Sequence, residues 1–324
     1  MERRNFLSTG FYGAMAPAWT PDREAPYTAP EVVIERFQEG QPHKGKVLAA
    51  IQPHCDDLPL FAAGTIAKLI REGYEGYLIR TTNDDHAGRG ATVGDVVKNN
   101  QMDNEAVAKA LALKGVFDLG YRNHMMDNYS IQDIRGRLIF LFRVLKVDTI
   151  ISYDPWGHYE ENPDHYVTAR AVEAARWMAG GGRDYPEHQA AGIMPYAVKE
   201  RYYFARGPQL VNRIVDISQT IEQKIDVNLA NVTQGPGGEN GALLRQRLAA
   251  EGKYLPLLGR TDAEANRNYI KHFVLDQDSL HLRGVPSDRV VGAPYRLDWA
   301  EAFHYIGPQE SQLPPYVAAH ARRE

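Results

Sequence analysis

Segments typical of strands and of helices alternate along the chain from residue 46 onward, and this alternation restricts the fold more than any other feature. Short apolar runs predict buried strands, and longer segments with apolar residues at helical spacing predict helices. The strands are predicted at 46–51, 75–82, 115–120, 147–153, 199–204 and 212–217, and the helices at 60–69, 93–113, 131–145, 165–179 and 218–229. The pattern indicates an α/β fold, a Rossmann-like and mostly parallel sheet with helices on both faces. Ligands of such folds bind at the carboxyl ends of the strands.

The domain organisation follows from the same pattern. Residues 1–45 are rich in proline and charge, and we expect them to form an N-terminal arm. Residues 46–324 are expected to form a single domain whose C-terminal part is loop-rich. The stretch from Glu2 to Ser8 resembles a twin-arginine export signal. An ordered arm with exposed arginines is the alternative, so the sequence leaves open whether the protein is cytoplasmic or exported.

Charge and composition narrow the classes of partner. The formal net charge of −4 gives no reason to expect nucleic acid or an anionic membrane as a partner. No apolar run approaches the roughly 20 residues that span a bilayer. The single cysteine, Cys55, excludes an intramolecular disulfide. We therefore expect a small-molecule partner, and a homo-oligomer stays open.

The first group of chemically active residues directly follows the first predicted strand. It contains His54, Asp56 and Asp57. A histidine and an aspartate three residues apart can both reach one divalent ion, and the intervening Asp56 is then available as a base. The alternative is that Asp56 or Asp57 caps the next helix, which would contribute about 1 kcal/mol.

The second group follows the fourth predicted strand, between Asp154 and His165. Two loops at the carboxyl ends of strands can face each other across the top of the sheet. His165 could then complete a ligand set with His54 and Asp57. Three protein ligands with one open position for water are typical of a catalytic zinc site, where the pKa of that water falls toward about 7. Asp164 is interpreted as a residue that orients a ligand histidine.

Together the two motifs resemble those of the PIG-L/LmbE family of zinc-dependent N-deacetylases. The family motifs read His-Pro-Asp-Asp and His-Pro-Asp-His, and here they read His54-Cys55-Asp56-Asp57 and Asn162-Pro163-Asp164-His165. Weaker matches extend the resemblance over residues 46 to 306. It implies one Zn²⁺ per chain, bound by His54, Asp57 and His165. It also implies that Asp56 is the general base, which takes a proton from the zinc-activated water.

The function implied by the resemblance is removal of an N-acetyl group from an amino sugar or its glycoside. Two alternatives remain on sequence grounds. One is a metal-dependent amidase that acts on another small amide, and the other is a non-catalytic carbohydrate-binding protein on the same fold. Retention of Asp56 with all three candidate ligands argues against the second alternative.

Departures from the family pattern bear on the substrate more than on the metal. Cys55 replaces the usual proline, Leu58 replaces a frequent acidic residue, and Asn162 stands where the family often has a histidine that stabilises the intermediate. Asn162 can donate a hydrogen bond to an oxyanion but cannot supply a proton. His158 lies four residues earlier, and we predict that it is the assisting acid, with Asn162 as the alternative. We interpret Cys55 as a small packed residue rather than a thiolate near the metal.

Substrate contacts are expected from other loops at the same end of the sheet. Arg89 follows the second strand and could bind a sugar hydroxyl or an anionic group, although a solvated turn is the alternative. Asn123 follows the third strand and could contact a sugar hydroxyl. Trp156, with Tyr153 and Tyr159, could form an aromatic wall for a sugar ring, although each alone is more often a packing residue.

Overall fold

An eight-stranded sheet forms the centre of the computed structural model, which describes residues 31–157, 160–276, 285–308, 311 and 313–322. The strand order is β1-β7-β8-β6-β5-β2-β3-β4. All neighbouring strands are parallel except β8, which is antiparallel to both β6 and β7. The strands are β1 (Val33–Glu35), β2 (Val47–Gln52), β3 (Glu75–Thr82), β4 (Gly115–Tyr121), β5 (Thr149–Tyr153), β6 (Glu200–Phe204), β7 (Arg213–Asp216) and β8 (Ala300–Ile306). The prediction of a mostly parallel α/β fold is confirmed.

Helices cover both faces of the sheet because the buried strands are apolar on both sides. Successive side chains of a strand point to opposite faces, and in β2 Leu48 and Ala50 join one apolar cluster while Ala49 and Ile51 join the other. The helices are α1 (Asp57–Phe61), α2 (Ala63–Arg71), α3 (Val93–Ala110), α4 (Ile131–Leu145), α5 (Pro163–Ala179), α6 (Pro186–Ala190), α7 (Ile221–Ala230), α8 (Asn240–Ala250) and α9 (Asp262–Tyr269), with short helices at Asp288–Gly292 and Leu313–His320. Residues of α2, α3 and α7 pack in the first cluster, and residues of α4 and α5 pack in the second.

The start of α5 is fixed by a local sequence signal, and it sets the direction of His165. The side-chain oxygen of Asn162 accepts a hydrogen bond from the backbone N–H of Asp164 at 3.0 Å. Pro163 occupies the first helical position, where its fixed φ suits the helix and its missing N–H costs nothing. His165 therefore lies in the first turn of α5, beside the carboxyl end of β5.

Two parts of the chain are more regular than the sequence predicted. β1 lies within the segment expected to be an arm, and it pairs with β7. The expected loop-rich end contains α8, α9 and the antiparallel strand β8. The division at residue 45 stays a prediction, and the candidate export signal lies outside the described residues. In the part of the chain that the structure describes, no helix is both long and apolar enough to cross a bilayer.

Candidate active site

Neighbouring strands bring the two sequence motifs together. β2 and β5 are paired in parallel, with Ala50 opposite Ile151, so their carboxyl ends lie side by side. The loop after β2 carries His54 and leads into α1, which begins at Asp57. The loop after β5 leads into α5 and His165. All three side chains are buried, and their ligand atoms lie within 4.8 Å of one another.

The distances among these three side chains suit a single metal ion. Nδ1 of His54 lies 3.0 Å from Nε2 of His165. Oδ2 of Asp57 lies 3.5 Å from Nδ1 of His54, and Oδ1 of Asp57 lies 3.5 Å from Nε2 of His165. Two ligand atoms that each lie 2.0–2.1 Å from a tetrahedral zinc ion are separated by about 3.3 Å. The donor set therefore fits zinc without a large rearrangement.

Each of the two histidines has a carboxylate beside it on the side away from the centre. Nε2 of His54 donates to Oδ2 of Asp164 at 3.0 Å, and Nδ1 of His165 lies 3.1 Å from Oε2 of Glu160. Because a carboxylate only accepts, these partners favour the tautomers in which the inner nitrogens carry lone pairs. Two lone pairs 3.0 Å apart repel unless a cation lies between them. This arrangement, which is usual around protein-bound metals, agrees with a metal site.

Asp57 is held by two donors. The hydroxyl of Tyr153 donates to its Oδ1 at 2.7 Å, and the backbone N–H of His54 donates to its Oδ2 at 2.9 Å. The Tyr153 ring also stacks on the His165 ring, with centroids 4.2 Å apart. Tyr153 therefore contacts two of the three candidate ligands and is a supporting residue of the site, whereas the sequence suggested an aromatic wall for a sugar.

The electrostatics of the site favour bound positive charge. Burial raises the pKa of Asp57, but His165, His54 and the Tyr153 hydroxyl outweigh it and lower that pKa overall. For Glu160, burial is likewise outweighed by contacts with His165 and Arg206, which bring its pKa to about 2. The carboxylates around His54 raise its pKa well above the ordinary value in spite of burial. Ionised carboxylates thus surround the two imidazoles.

Asp56 faces the cavity and does not cap a helix. It occupies the N-cap position of α1, but its side chain makes no capping hydrogen bond. Burial and the neighbouring carboxylates of Asp57 and Asp84 raise the pKa of Asp56 above its ordinary value. Gly235, with φ at +79°, lies so close that a Cβ there would be 2.8 Å from both Cβ and Oδ2 of Asp56. The Gly235 loop therefore packs directly against the candidate base.

A cavity of about 460 Å³ adjoins the candidate ligands and Asp56. Its volume lies within the range of about 300–1,000 Å³ that is typical of small-molecule sites. Polar groups from five separate loops and apolar groups from α1 meet there. The lining residues are His54, Asp56, Asp57, Leu60, Phe61, Ala87, Asn123, His124, Asn162, His165, Arg206, Gln234, Gly235 and Pro236.

Asn123 is the cavity residue with the clearest capacity to bind a ligand. It is fully buried, and neither its side-chain nitrogen nor its side-chain oxygen has a hydrogen-bond partner among the described residues. Its backbone N–H donates to Oδ1 of Asp85 at 2.9 Å, and Nε of Arg122 donates to the other oxygen of that carboxylate. A buried amide without partners costs about 1–3 kcal/mol. A ligand that pairs with this amide would recover that free energy.

The structure does not bring the other two predicted substrate contacts to this cavity. Arg89 is exposed, and its guanidinium donates to Oδ1 of Asn240 at 3.2 Å. Trp156 is 51% exposed, and its ring lies beside His304 and Tyr203. Both residues follow strands at the expected end of the sheet, but neither lines the cavity.

Two further sequence interpretations concern Cys55 and His158. The Cys55 thiol is buried among Asn100, Asn231 and Gln234, with sulfur-to-polar-atom distances of 3.1–3.2 Å. Burial and nearby carboxylates raise the pKa of this thiol well above its ordinary value, which favours the protonated thiol. The packed interpretation of Cys55 therefore fits its surroundings. His158 and Tyr159 lie outside the described residues, and the role predicted for His158 stays a prediction.

Arg206 and Gly235 are cavity residues to which the sequence analysis gave no role. Arg206 follows β6 by two residues. The rule that ligands bind beyond the carboxyl ends of strands could have identified Arg206. No local pattern identifies the glycine, because its importance depends on a contact with a residue 179 positions earlier.

Comparison with known proteins finds a match to one family model over part of the chain and relatives named as deacetylases. Residues 49–176 match the family model described as PIG-L: GlcNAc-PI de-N-acetylase. The chain is 26% identical over 195 residues to the diacetylchitobiose deacetylase of Thermococcus kodakarensis. The aligned region covers 59% of this chain and 71% of that protein. It is 25% identical over 249 residues to a 1D-myo-inositol 2-acetamido-2-deoxy-alpha-D-glucopyranoside deacetylase of a Mycobacterium species. This aligned region covers 60% of this chain and 77% of the relative.

A solved structure extends the likeness of the fold. The N,N'-diacetylchitobiose deacetylase of Pyrococcus horikoshii superimposes with a TM-score of 0.60 at 18% identity. The match covers 81% of this chain and 84% of that one. At this identity the likeness concerns the fold alone.

Proposed function

We propose that the chain is a zinc-dependent N-deacetylase of an amino sugar or its glycoside. Support comes from the match of residues 49–176 to the PIG-L family model and from relatives that are named as deacetylases of amino sugars. One observation carries the proposal. His54, Asp57 and His165 converge with a fourth group, Asp56, at the wall of a cavity large enough for a sugar. A site that only binds carbohydrate would have no need of this acidic group beside a metal-binding set.

In the proposed reaction the residues of the chain have separate roles. When bound, zinc lowers the pKa of a water molecule and polarises the amide carbonyl. Asp56 takes the proton from the attacking water and passes it to the leaving amine. A raised pKa suits this role, because a base works best when its pKa lies near the operating pH. Asp57 is less suited to this role, because it is assigned to the metal and its histidine neighbours and the Tyr153 hydroxyl lower its pKa.

Negative charge develops on the former carbonyl oxygen, and a donor from the protein is expected to stabilise it. Asn162 lines the cavity, and its Oδ1 is occupied in capping α5, so its amide nitrogen is the group it can offer. His158 remains the predicted source of a proton for this step.

We propose that Asn123 recognises the sugar. An amide presents a donor and an acceptor side by side, which matches a hydroxyl group that can both accept and donate. Replacement of Asn123 by alanine removes both groups and enlarges the cavity. The contact lies on the sugar, away from the reacting amide, so it should stabilise the bound substrate and the transition state equally. We therefore expect this change to raise KM more than it lowers kcat.

The experiment is acetate release by the zinc-loaded protein on N-acetylglucosamine, N,N'-diacetylchitobiose and simple N-acetyl amides. We expect release from the amino sugars. Asp56→Asn should keep its metal and lose about 10²–10⁴-fold in rate. Release only from the simple amides would favour a general amidase. Sugar binding with no release by the zinc-loaded protein would contradict the proposal and favour a carbohydrate-binding protein.

A further inference from the structure

Two residues behind His165 form an ion pair that no step of the proposed reaction uses. We propose that Glu160 and Arg206 are positioning residues that set the affinity for the metal. Arg206 fixes Glu160, and Glu160 fixes the ring orientation and tautomer of His165. The inference deepens the proposed function and rests on it for its biological meaning, but its test needs no substrate.

The contact with His165 is the first step of the argument. Nδ1 of His165 lies 3.1 Å from Oε2 of Glu160, and Nε2 faces His54 and Asp57. A neutral imidazole carries one N–H, and a carboxylate can only accept a hydrogen bond. Glu160 therefore favours the proton on Nδ1, which leaves the Nε2 lone pair directed at the candidate metal position.

Arg206 supplies the rigidity of Glu160. Its Nε donates to Oε2 at 3.1 Å and its Nη2 donates to Oε1 at 2.7 Å, which is the two-pronged geometry that guanidinium and carboxylate groups favour. The backbone N–H of Asn162 adds a third donor, at 2.9 Å from Oε1. Both oxygens of Glu160 are thus held, and neither can rotate away from His165 without the loss of a charge-assisted hydrogen bond.

The topology explains why this pair can control the site. Glu160 lies in the loop after β5, and Arg206 lies two residues after β6. These strands are paired through Tyr153 and Phe204, their last residues, so the pair joins the ends of two neighbouring strands. Asp164, which orients His54, is anchored differently, since it accepts from the backbone N–H groups of two residues. The anchor of His165 is therefore the one that depends on a side-chain ion pair.

Glu161 provides a matched control. Its carboxylate accepts from the same Nη2 of Arg206, also at 2.7 Å, but its side chain is 79% exposed and only Glu160 contacts His165. Glu160→Gln and Glu161→Gln remove the same charge from neighbouring positions and from the same arginine. Loss of partners of this type usually costs 10–100-fold in metal affinity.

The experiment measures the zinc dissociation constant by competition with a chelator, and the visible spectrum of the Co²⁺-loaded protein, in both variants. We expect Glu160→Gln to bind zinc about 10–100-fold more weakly and to change the Co²⁺ spectrum. Glu161→Gln should stay within about twofold of the unmodified protein, since exposed pairs contribute little. Equal effects of the two variants, or unchanged affinity in Glu160→Gln, would overturn the proposal.

A second variant guards against a folding defect. Arg206→Lys keeps the positive charge but cannot make the two-pronged contact, and we expect it to weaken zinc binding by about tenfold. Thermal unfolding of the metal-free variants shows whether each is folded. If Glu160→Gln does not fold, unchanged affinity in a folded Arg206→Lys overturns the proposal instead. Failure of the deacetylase proposal would appear as zinc binding without acetate release, which is a different result.

Discussion

Substitution of Gly235 by alanine tests whether Asp56 works in the position that the structure gives it. The new Cβ would lie 2.8 Å from Cβ and Oδ2 of Asp56, about 0.6 Å closer than the 3.4 Å at which ordinary contact begins. A carboxylate tip could rotate away, but the Cβ of Asp56 is fixed to its backbone, so the loop or the aspartate must move. Displacement of a catalytic group by about 1 Å can cost about 10²-fold in rate. We expect a loss of about that size in kcat, with zinc content unchanged.

Gly252→Ala is the matched control for this experiment. Gly252 also has a positive φ, of +69° against +79° for Gly235, but a Cβ there meets no atom within 4 Å. Both substitutions place an L side chain in the left-handed region, which should cost each about 1–2 kcal/mol in the free energy of unfolding. The close contact with Asp56 adds to this cost in Gly235→Ala. Only Gly235→Ala should lower the rate of acetate release. A rate for Gly235→Ala within threefold of the control would refute the reasoning about Asp56.

Three other changes test separate parts of the account. His165→Ala removes one of three ligands and should strip most of the bound metal, as metal analysis of the purified variant would reveal; a fully loaded and active variant would remove His165 from the site. His158→Gln should lower turnover and abolish the alkaline limb of the pH–rate profile, whereas an unchanged profile would return the assisting role to Asn162. Lys224→Met removes the ammonium group that lies 2.6 Å from the buried carboxylate of Glu301. We expect the free energy of unfolding, measured with denaturant, to fall by about 3–5 kcal/mol. A loss below 1 kcal/mol would show that this pair is not a major stabilising contact.

The sequence predicted strands β2 to β7 and the main helices between them. The spacing of apolar residues along the chain reflects which side of each element is buried, and that pattern is local. The sequence also predicted that the motifs of His54 and His165 would meet, because parallel strands end at the same edge of the sheet. It did not predict β8 (residues 300–306), which pairs antiparallel with both β6 and β7. Strand order across the sheet depends on contacts between residues far apart in the chain.

The direction of a side chain was harder to predict than its place in the fold. Arg89 and Trp156 lie at the expected end of the sheet, but they contact Asn240 and His304 and do not line the cavity. Tyr153 was expected to face a sugar, yet it is buried, where it contacts Asp57 and His165. A strand-end position indicates which loop carries a residue and not which way that residue points.

The position of a bound ion tests the central claim most directly. Anomalous diffraction at the zinc edge from zinc-soaked crystals would locate the ion without reference to any substrate. We predict one strong peak per chain, within about 2.3 Å of Nδ1 of His54, Nε2 of His165 and a carboxylate oxygen of Asp57. A second group, of His54, His124 and Asp164, lies on the other side of the same imidazole. A peak at that second group, or no peak beside His165, would contradict the account.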